Sequence, residues 1–340
     1  MRKLLNTIYV TNENAYLTLK DNNLVCKVDG EVKVKIPFDN IENVVCFSYL
    51  GCSPALMGKC VEKQVPINFI SPSGKFWAKV CGETKGNVFL RVAQIDCFRD
   101  QGLLLSKNQV TAKLSNNIQT IRQTLKNKPE LRNDDTICQT LENLNTGMQK
   151  AQNAESLESL LGIEGNCASS YFSAFSSLIT NNDLADTFLF RTKRPPLDPV
   201  NALLSFAYTL ATADCAAALE TVGLDSFIGF YHTLRSGRDS LACDMVEEFR
   251  CLCERFVLTL LNLKMIGEKD FDRQFSGAVW LNQKGKQKFL TKWQEKKRNT
   301  ITHPIIKEKV PYGLLPYVQS NLLAKFVRGE TEEYIPYLLK

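Results

Sequence analysis

Long apolar runs, histidines and paired cysteines are what this sequence has least of. Only two histidines, His232 and His303, occur in 340 residues. No uninterrupted apolar segment reaches the ~18–20 residues that a membrane-spanning helix needs. The opening stretch, MRKLLNTIYVTNENAY, has too short an apolar run and no small-residue cleavage site for a secretory signal. Twelve cysteines are present, yet no two stand in a C-x-x-C arrangement, and the nearest pair, Cys251 and Cys253, has one residue between. That spacing argues against zinc ribbons and dithiol redox motifs; it reads as reduced thiols serving as small apolar side chains. With 44% hydrophobic and 23% charged residues, the chain has the composition of a soluble globular protein. It is long enough for two cores, and a cytoplasmic protein of two domains is expected. A net charge of +6 is too mild to define a partner by itself, so clustering of the charges carries more weight.

What is present changes character along the chain. YLTLK (16–20), LVCKV (24–28), EVKVKI (31–36) and NVVCF (43–47) alternate with period two and predict strands. Lys20–Asn23 and Asp29-Gly30 lie between them as turn signals. A short helix is expected around Pro54–Lys63, after which VPINFI, KFWAKV and NVFLRV resume the strand pattern. From about Arg91 the period becomes helical, with a polar-faced helix over 109–128 and a possible hairpin near Trp280–Lys286. The expected fold is α+β: an N-terminal β domain, residues 1–90, then a larger all-α catalytic, DNA-binding domain, residues 91–340.

Three segments carry residues suited to chemistry. On a helix expected from about Ser156 to Ile179, Glu164 shares the apolar face of Leu160, Ala168 and Tyr171. A carboxylate there is costly unless something positive engages it or it reaches water. Gly162 and Gly165 flank it and suit close approach of a backbone or ligand. The second segment ends at His232, in GLDSFIGFYHTLRSGRDS, where a packed core imidazole is the bland alternative. The third is a helix opened by Ser240 as N-cap, with Asp244, Glu247 and Glu248 along one flank. A solvated acidic flank is its bland reading, and the spacing does not separate Glu247 from Glu248. Two carboxylates and one imidazole on separate segments suit a hard divalent cation, Mg²⁺ or Mn²⁺, better than zinc.

Basic residues point to an anionic partner. Lys284, Lys288, Lys292 and Lys296 recur every four residues, a stripe suited to a row of phosphates if the segment is helical, with Phe289 and Trp293 interleaved. A solvated lysine-rich helix is the alternative. Arg235 and Arg238, and Arg191, Lys193 and Arg194, add cationic loops near the proposed site.

GIEG (162–165), RTKRPPLDPVNALLSF (191–206), GFYH (229–232) and SLACDMVEEFR (240–250), in that order, resemble the CRISPR-associated adaptation integrase family, the first-numbered Cas proteins. The β-then-α layout is similar as well. The resemblance implies a metal-dependent DNA endonuclease and integrase of spacer acquisition. It implies metal ligands at Glu164, His232 and Glu247, choosing Glu247 over its neighbour, with Asp244 nearby as a direct ligand or an orienter of His232. A homodimer, double-stranded DNA (prespacer and CRISPR array) and a small ferredoxin-like second-numbered Cas protein are the implied partners. In the Pro-Pro-Leu-Asp-Pro run, Asp198 is expected to cap a mostly apolar helix begun by Pro199, with Asn201, Ser205 and Tyr208 on one side. The competing functions are a non-catalytic DNA-binding scaffold and a metal hydrolase of a small phosphorylated molecule.

Overall fold

The computed structural model describes residues 6–71, 76–82, 88–180 and 184–339. Its first part consists of β1 (Thr7–Val10), β2 (Ala15–Lys20), β3 (Asn23–Val28), β4 (Glu31–Pro37), β5 (Asn43–Cys46), α1 (Pro54–Glu62), β6 (Ile67–Ile70) and β7 (Phe76–Val80). The strands form two sheets: an antiparallel β2-β3-β4, and β1-β5-β6-β7 with the first three parallel. The expected turns lie where Asp21, Asn22, Asp29 and Gly30 take positive φ, as tight hairpins require.

Strand β5 joins the two halves of the molecule. All four of its residues are buried, as in a parallel strand covered on both faces. Val44 and Cys46 enter a core with Leu17, Leu56 and Ile67, whereas Val45 and the following Phe47 enter the larger helical core. The rings of Phe47 and Phe206 stand 5.8 Å apart across that junction.

The remainder is helical: α2 (Val88–Asn127), α3 (Asp135–Gln152), α4 (Leu157–Phe175), α5 (Pro199–Thr221), α6 (Ser240–Glu247) and α7 (Arg250–Asn262). A hairpin, β8 (Phe271–Arg273) and β9 (Val279–Leu281), precedes α8 (Gln283–Arg298). A second small pair, β10 (Thr300–Thr302) and β11 (Lys309–Pro311), precedes α9 (Leu315–Val327). Asp198 caps α5 as expected, its Oδ1 accepting from the backbone N–H of Asn201 at 2.8 Å. Helix α5 is long and apolar enough to cross a membrane by composition, but most of it is buried within the protein.

Several expectations need correction. Val88–Val92 of NVFLRV is the start of α2, not a strand; only Leu90 of Val88, Phe89, Leu90 and Val92 is buried. A six-residue segment has too little length to separate the two periods. The stretch 109–128 has the expected polar outer side, with Ser115, Gln119, Arg122 and Lys126 partly or fully exposed, but it also buries Gln109, Lys113, Asn116, Asn117 and Thr120. Ser240 is the first residue of α6 rather than its cap, and no side chain caps that helix. The α6–α7 region, expected as one helix, is interrupted at Glu248 and Phe249. The hairpin lies at 271–281, earlier than 280–286.

Candidate metal centre and its basic surroundings

Four helices converge on one buried ion-pair network. Glu164 projects from α4, Glu247 is the last residue of α6, and the ammonium of Lys113, on α2, reaches both carboxylates. Lys113 Nζ is 2.7 Å from Oε2 of Glu247. Arg250, first residue of α7, places a guanidinium nitrogen 2.9 Å from the other oxygen, Oε1. Burial disfavours the Glu247 carboxylate, but Arg250 and Lys113 outweigh it and hold the group down at about 2. The same balance, burial against the two glutamates, keeps Lys113 above the usual lysine range. Glu247 Oε2 is buried, and Lys113 approaches it out of line for a hydrogen bond.

The break after Glu247 separates the neighbouring glutamates. Adjacent helical side chains diverge by roughly 100°. Glu247 faces α2 and α4, while Glu248 points into the core, accepting from Tyr334 Oη, from the backbone N–H of Tyr337 at 2.7 Å and from Gln319 Nε2 at 2.7 Å. Burial pushes the Glu248 carboxyl up to about 7 despite these bonds. The solvated acidic flank is therefore absent: Asp244, Glu247 and Glu248 are all buried.

Asp244 organises the loop that carries His232. Its Oδ2 accepts from the backbone N–H groups of Phe230, at 2.7 Å, and Tyr231, at 3.1 Å. Its Oδ1 accepts from the His232 backbone at 2.9 Å and lies 2.6 Å from His232 Nδ1. A carboxylate only accepts, so Nδ1 is the donor, and in the neutral ring this tautomer leaves the lone pair on Nε2. Gly229 is required here, since a Cβ on it would sit 2.6 Å from Asp244 Oδ2 and 2.9 Å from Ser240 Cβ. Beside His232, the hydroxyl of Tyr231 is buried without a hydrogen bond. Burial first, then Glu164 and Glu247, push its pKa well above the usual tyrosine value.

Sequence reasoning missed Lys113, Arg250, Tyr231 and a carboxylate beneath them. Glu254 is fully buried and accepts from Tyr171 at 2.9 Å and Tyr208 at 2.7 Å. The guanidinium groups of Arg250 and Arg191 lie over the Tyr208 ring, at 4.6 Å and 5.5 Å from its centre. Arg191 is held by Asn201 at 2.6 Å and Ser205 at 3.0 Å. The polar side expected for α5 is thus the seat of two arginines. Lys193 lies in the field of Arg250, Arg191 and Lys113. Gly162 and Gly165 do not receive another backbone; their missing side chains would meet open space.

The expected α8 stripe is helical, but three of its four lysines already have partners among the described residues, Lys284 alone being exposed without one. Lys288 pairs with buried Asp270 at 2.8 Å, Lys292 with Glu295 at 2.8 Å, and Lys296 lies 4.1 Å from the centre of the Tyr312 ring. Phe289 and Trp293 are buried in the core rather than interleaved on the surface. Arg235 is exposed and Arg238 half-buried on the loop between His232 and α6.

Among the described residues, no three histidine, cysteine, aspartate or glutamate side chains converge closely enough to hold an ion. Glu164 and Glu247 meet through Lys113, and the His232 ring is turned toward Asp244. The donor set nevertheless fits a hard divalent cation. Two carboxylates from different helices demand a positive charge, one buried oxygen lacks a hydrogen bond, and an oriented imidazole offers Nε2.

Known proteins resemble this chain along nearly its whole length. Residues 8–295 match the family described as CRISPR associated protein Cas1. The chain is 39% identical over 342 residues to a CRISPR-associated endonuclease Cas1 of Chlorobaculum tepidum, covering 99% of each. A second, from Moorella thermoacetica, is 37% identical over the whole of both chains. Among solved structures, a Cas1 protein from Thermotoga maritima superposes with a TM-score of 0.81 at 25% identity, covering 97% of this chain and 99% of the other. The chain belongs to the Cas1 family of CRISPR-associated proteins.

Proposed function

We propose that this protein is a DNA endonuclease and integrase of CRISPR spacer acquisition, dependent on Mg²⁺ or Mn²⁺. The observation that carries the reading is the pair Glu164 and Glu247, two carboxylates from separate helices sharing one buried cation beside an oriented imidazole. Glu164, Glu247 and Nε2 of His232 would hold the metal. When bound, it polarises a phosphodiester oxygen and lowers the pKa of a water or hydroxyl nucleophile.

The remaining residues do their work through charge and position. Asp244 has both oxygens occupied by the loop 230–232, which suits an orienter of His232 rather than a direct ligand. Arg250, Arg191 and Lys193 supply positive charge to a phosphodiester drawn to the site. Lys288, Lys292, Lys296, Arg235 and Arg238 are proposed as more distant backbone contacts, which position DNA without reading its sequence. Every residue of the centre comes from 91–340, in keeping with an N-terminal β domain at 1–90 that is not itself catalytic. Double-stranded DNA, a homodimeric state and a small ferredoxin-like second-numbered Cas partner complete the proposal, in a cytoplasmic setting.

A divalent-ion-dependent assay for nicking and joining of duplex DNA tests it. A scaffold binds DNA without turnover, and a hydrolase of small phosphorylated molecules leaves DNA untouched.

A further inference from the structure

Lys113 occupies the space that a shared metal ion needs. Its side chain is only 10% exposed, and its ammonium is reached by carboxylates of two different helices. We propose that Lys113 is a built-in counter-cation, which holds Glu164 and Glu247 together in the metal-free protein and yields its place when a divalent ion binds. This rests on the metal-site reading above.

Three observations single out Lys113 as the group that leaves. Its approach leaves the buried Glu247 Oε2 without a hydrogen bond, so the one directional bond it gives up on exchange is that to Glu164 Oε1. Arg250, the other cation on Glu247, lies over the Tyr208 ring and takes the opposite oxygen, Oε1. Guanidinium geometry fixes it there, whereas lysine is a compact charge on a flexible four-carbon stem. A route outward also exists. Glu164 is 20% exposed, and the surface beside it, at Gly162 and Gly165, is open.

The device solves a folding problem. Two carboxylates that later share an ion must be brought together before the ion arrives, and like charges in a buried site repel. A lysine in the gap lets the helices dock around a neutralised pair. The consequence is a weaker apparent affinity for metal, because only the arrangement with Lys113 displaced is competent to bind it. If that arrangement is populated about a tenth of the time, removing the lysine tightens binding about tenfold.

The test uses the full-length wild type, Lys113→Met and Glu247→Gln, with Mn²⁺ binding followed by calorimetry and melting followed with and without Mn²⁺. Lys113→Met is expected to melt lower than wild type without metal, to bind Mn²⁺ about tenfold more tightly, and to gain more Tm from saturating Mn²⁺. Equal or weaker Mn²⁺ binding by Lys113→Met, with wild type binding normally, overturns the role of Lys113 and leaves the metal site standing. Absence of Mn²⁺ binding by wild type, or undiminished binding by Glu247→Gln, removes the metal site and this proposal with it. Should Lys113→Met fail to fold, reductive methylation of the wild type decides, read by peptide mass spectrometry at Lys113. The residue is expected to be protected without Mn²⁺ and to react once Mn²⁺ saturates; unchanged reactivity overturns the proposal.

Discussion

The Oδ1 of Asp244 lies 2.6 Å from Nδ1 of His232 and 2.9 Å from the same residue's backbone nitrogen. One carboxylate oxygen therefore fixes both the ring and the chain that carries it. The rest of Asp244 is no less engaged, and a glycine at position 229 leaves it room. Second residues of this kind set the tautomer and aim of a metal-binding imidazole.

Asp244→Asn should therefore damage the site without emptying it. An asparagine can satisfy fewer of the four hydrogen-bonding groups that now face the carboxylate. Mn²⁺ affinity is expected to fall about 10–100-fold, with a stability loss of about 1–3 kcal/mol. Calorimetric titration beside urea denaturation checks both. Unchanged metal affinity in a folded variant would count against an orienting role.

Gly229→Ala places a methyl group against Asp244 and Ser240, where at least one must shift. Overpacking of this kind costs about 1–3 kcal/mol. DNA cleavage should drop along with urea stability. An alanine variant as stable and active as wild type would mean that the loop 229–232 is less tightly set than described.

Glu248 gives a pH signature distinct from that of its neighbour. Its carboxyl is raised to about 7 in the folded protein, against about 4.3 when unfolded. Between these values the folded state holds a proton that the unfolded state has lost, so stability falls as pH rises through that window. The contribution is present below the unfolded value and lost as pH passes the folded one, a change on the order of a few kcal/mol. Wild type should lose more urea stability between pH 5 and pH 8 than Glu248→Gln does. Parallel losses would contradict the burial of this carboxyl.

The α8 lysines are open to a salt test. Replacing Lys288, Lys292 and Lys296 with glutamine should flatten the log–log salt dependence of duplex binding by about 0.9 for each lysine that exchanges its present partner for a phosphate. An unchanged slope returns the stripe to the solvated-helix reading, which their pairing with Asp270, Glu295 and Tyr312 already suits.

How far the sequence reached depended on whether the deciding signal was local. The strands expected at YLTLK (16–20) and LVCKV (24–28), and the Asp198-Pro199 helix start, are set by neighbouring residues, and all three are present in the structure. Glu164 stood out as a carboxylate on an apolar face and His232 as a scarce imidazole after an apolar stretch, whereas Asp244 and Glu247 were singled out from the acidic flank by the family resemblance. Lys113 did not, since it sits among Gln109, Asn116 and Thr120 on a stripe that looks like a solvent face. That stripe runs through the interior instead: Asn116 Nδ2 donates to the Tyr337 carbonyl at 2.9 Å, and its Oδ1 accepts from Leu339 N–H at 2.7 Å. Both partners lie more than two hundred positions away, beyond any periodicity. The division of Glu247 from Glu248 was likewise hidden, because it depends on a helix break at 248–249 and on a C-terminal segment folding back over it.

Whether Glu247 and its partners hold a catalytic divalent ion is decided by a single comparison. Nicking and joining of duplex DNA are measured for wild type and Glu247→Gln at matched Mn²⁺, with DNA affinity recorded on the same samples. Metal-dependent products are expected from wild type and none from Glu247→Gln, while both bind the duplex comparably. Turnover by wild type in excess chelator, or by Glu247→Gln at the wild-type rate, would contradict a catalytic ion held there.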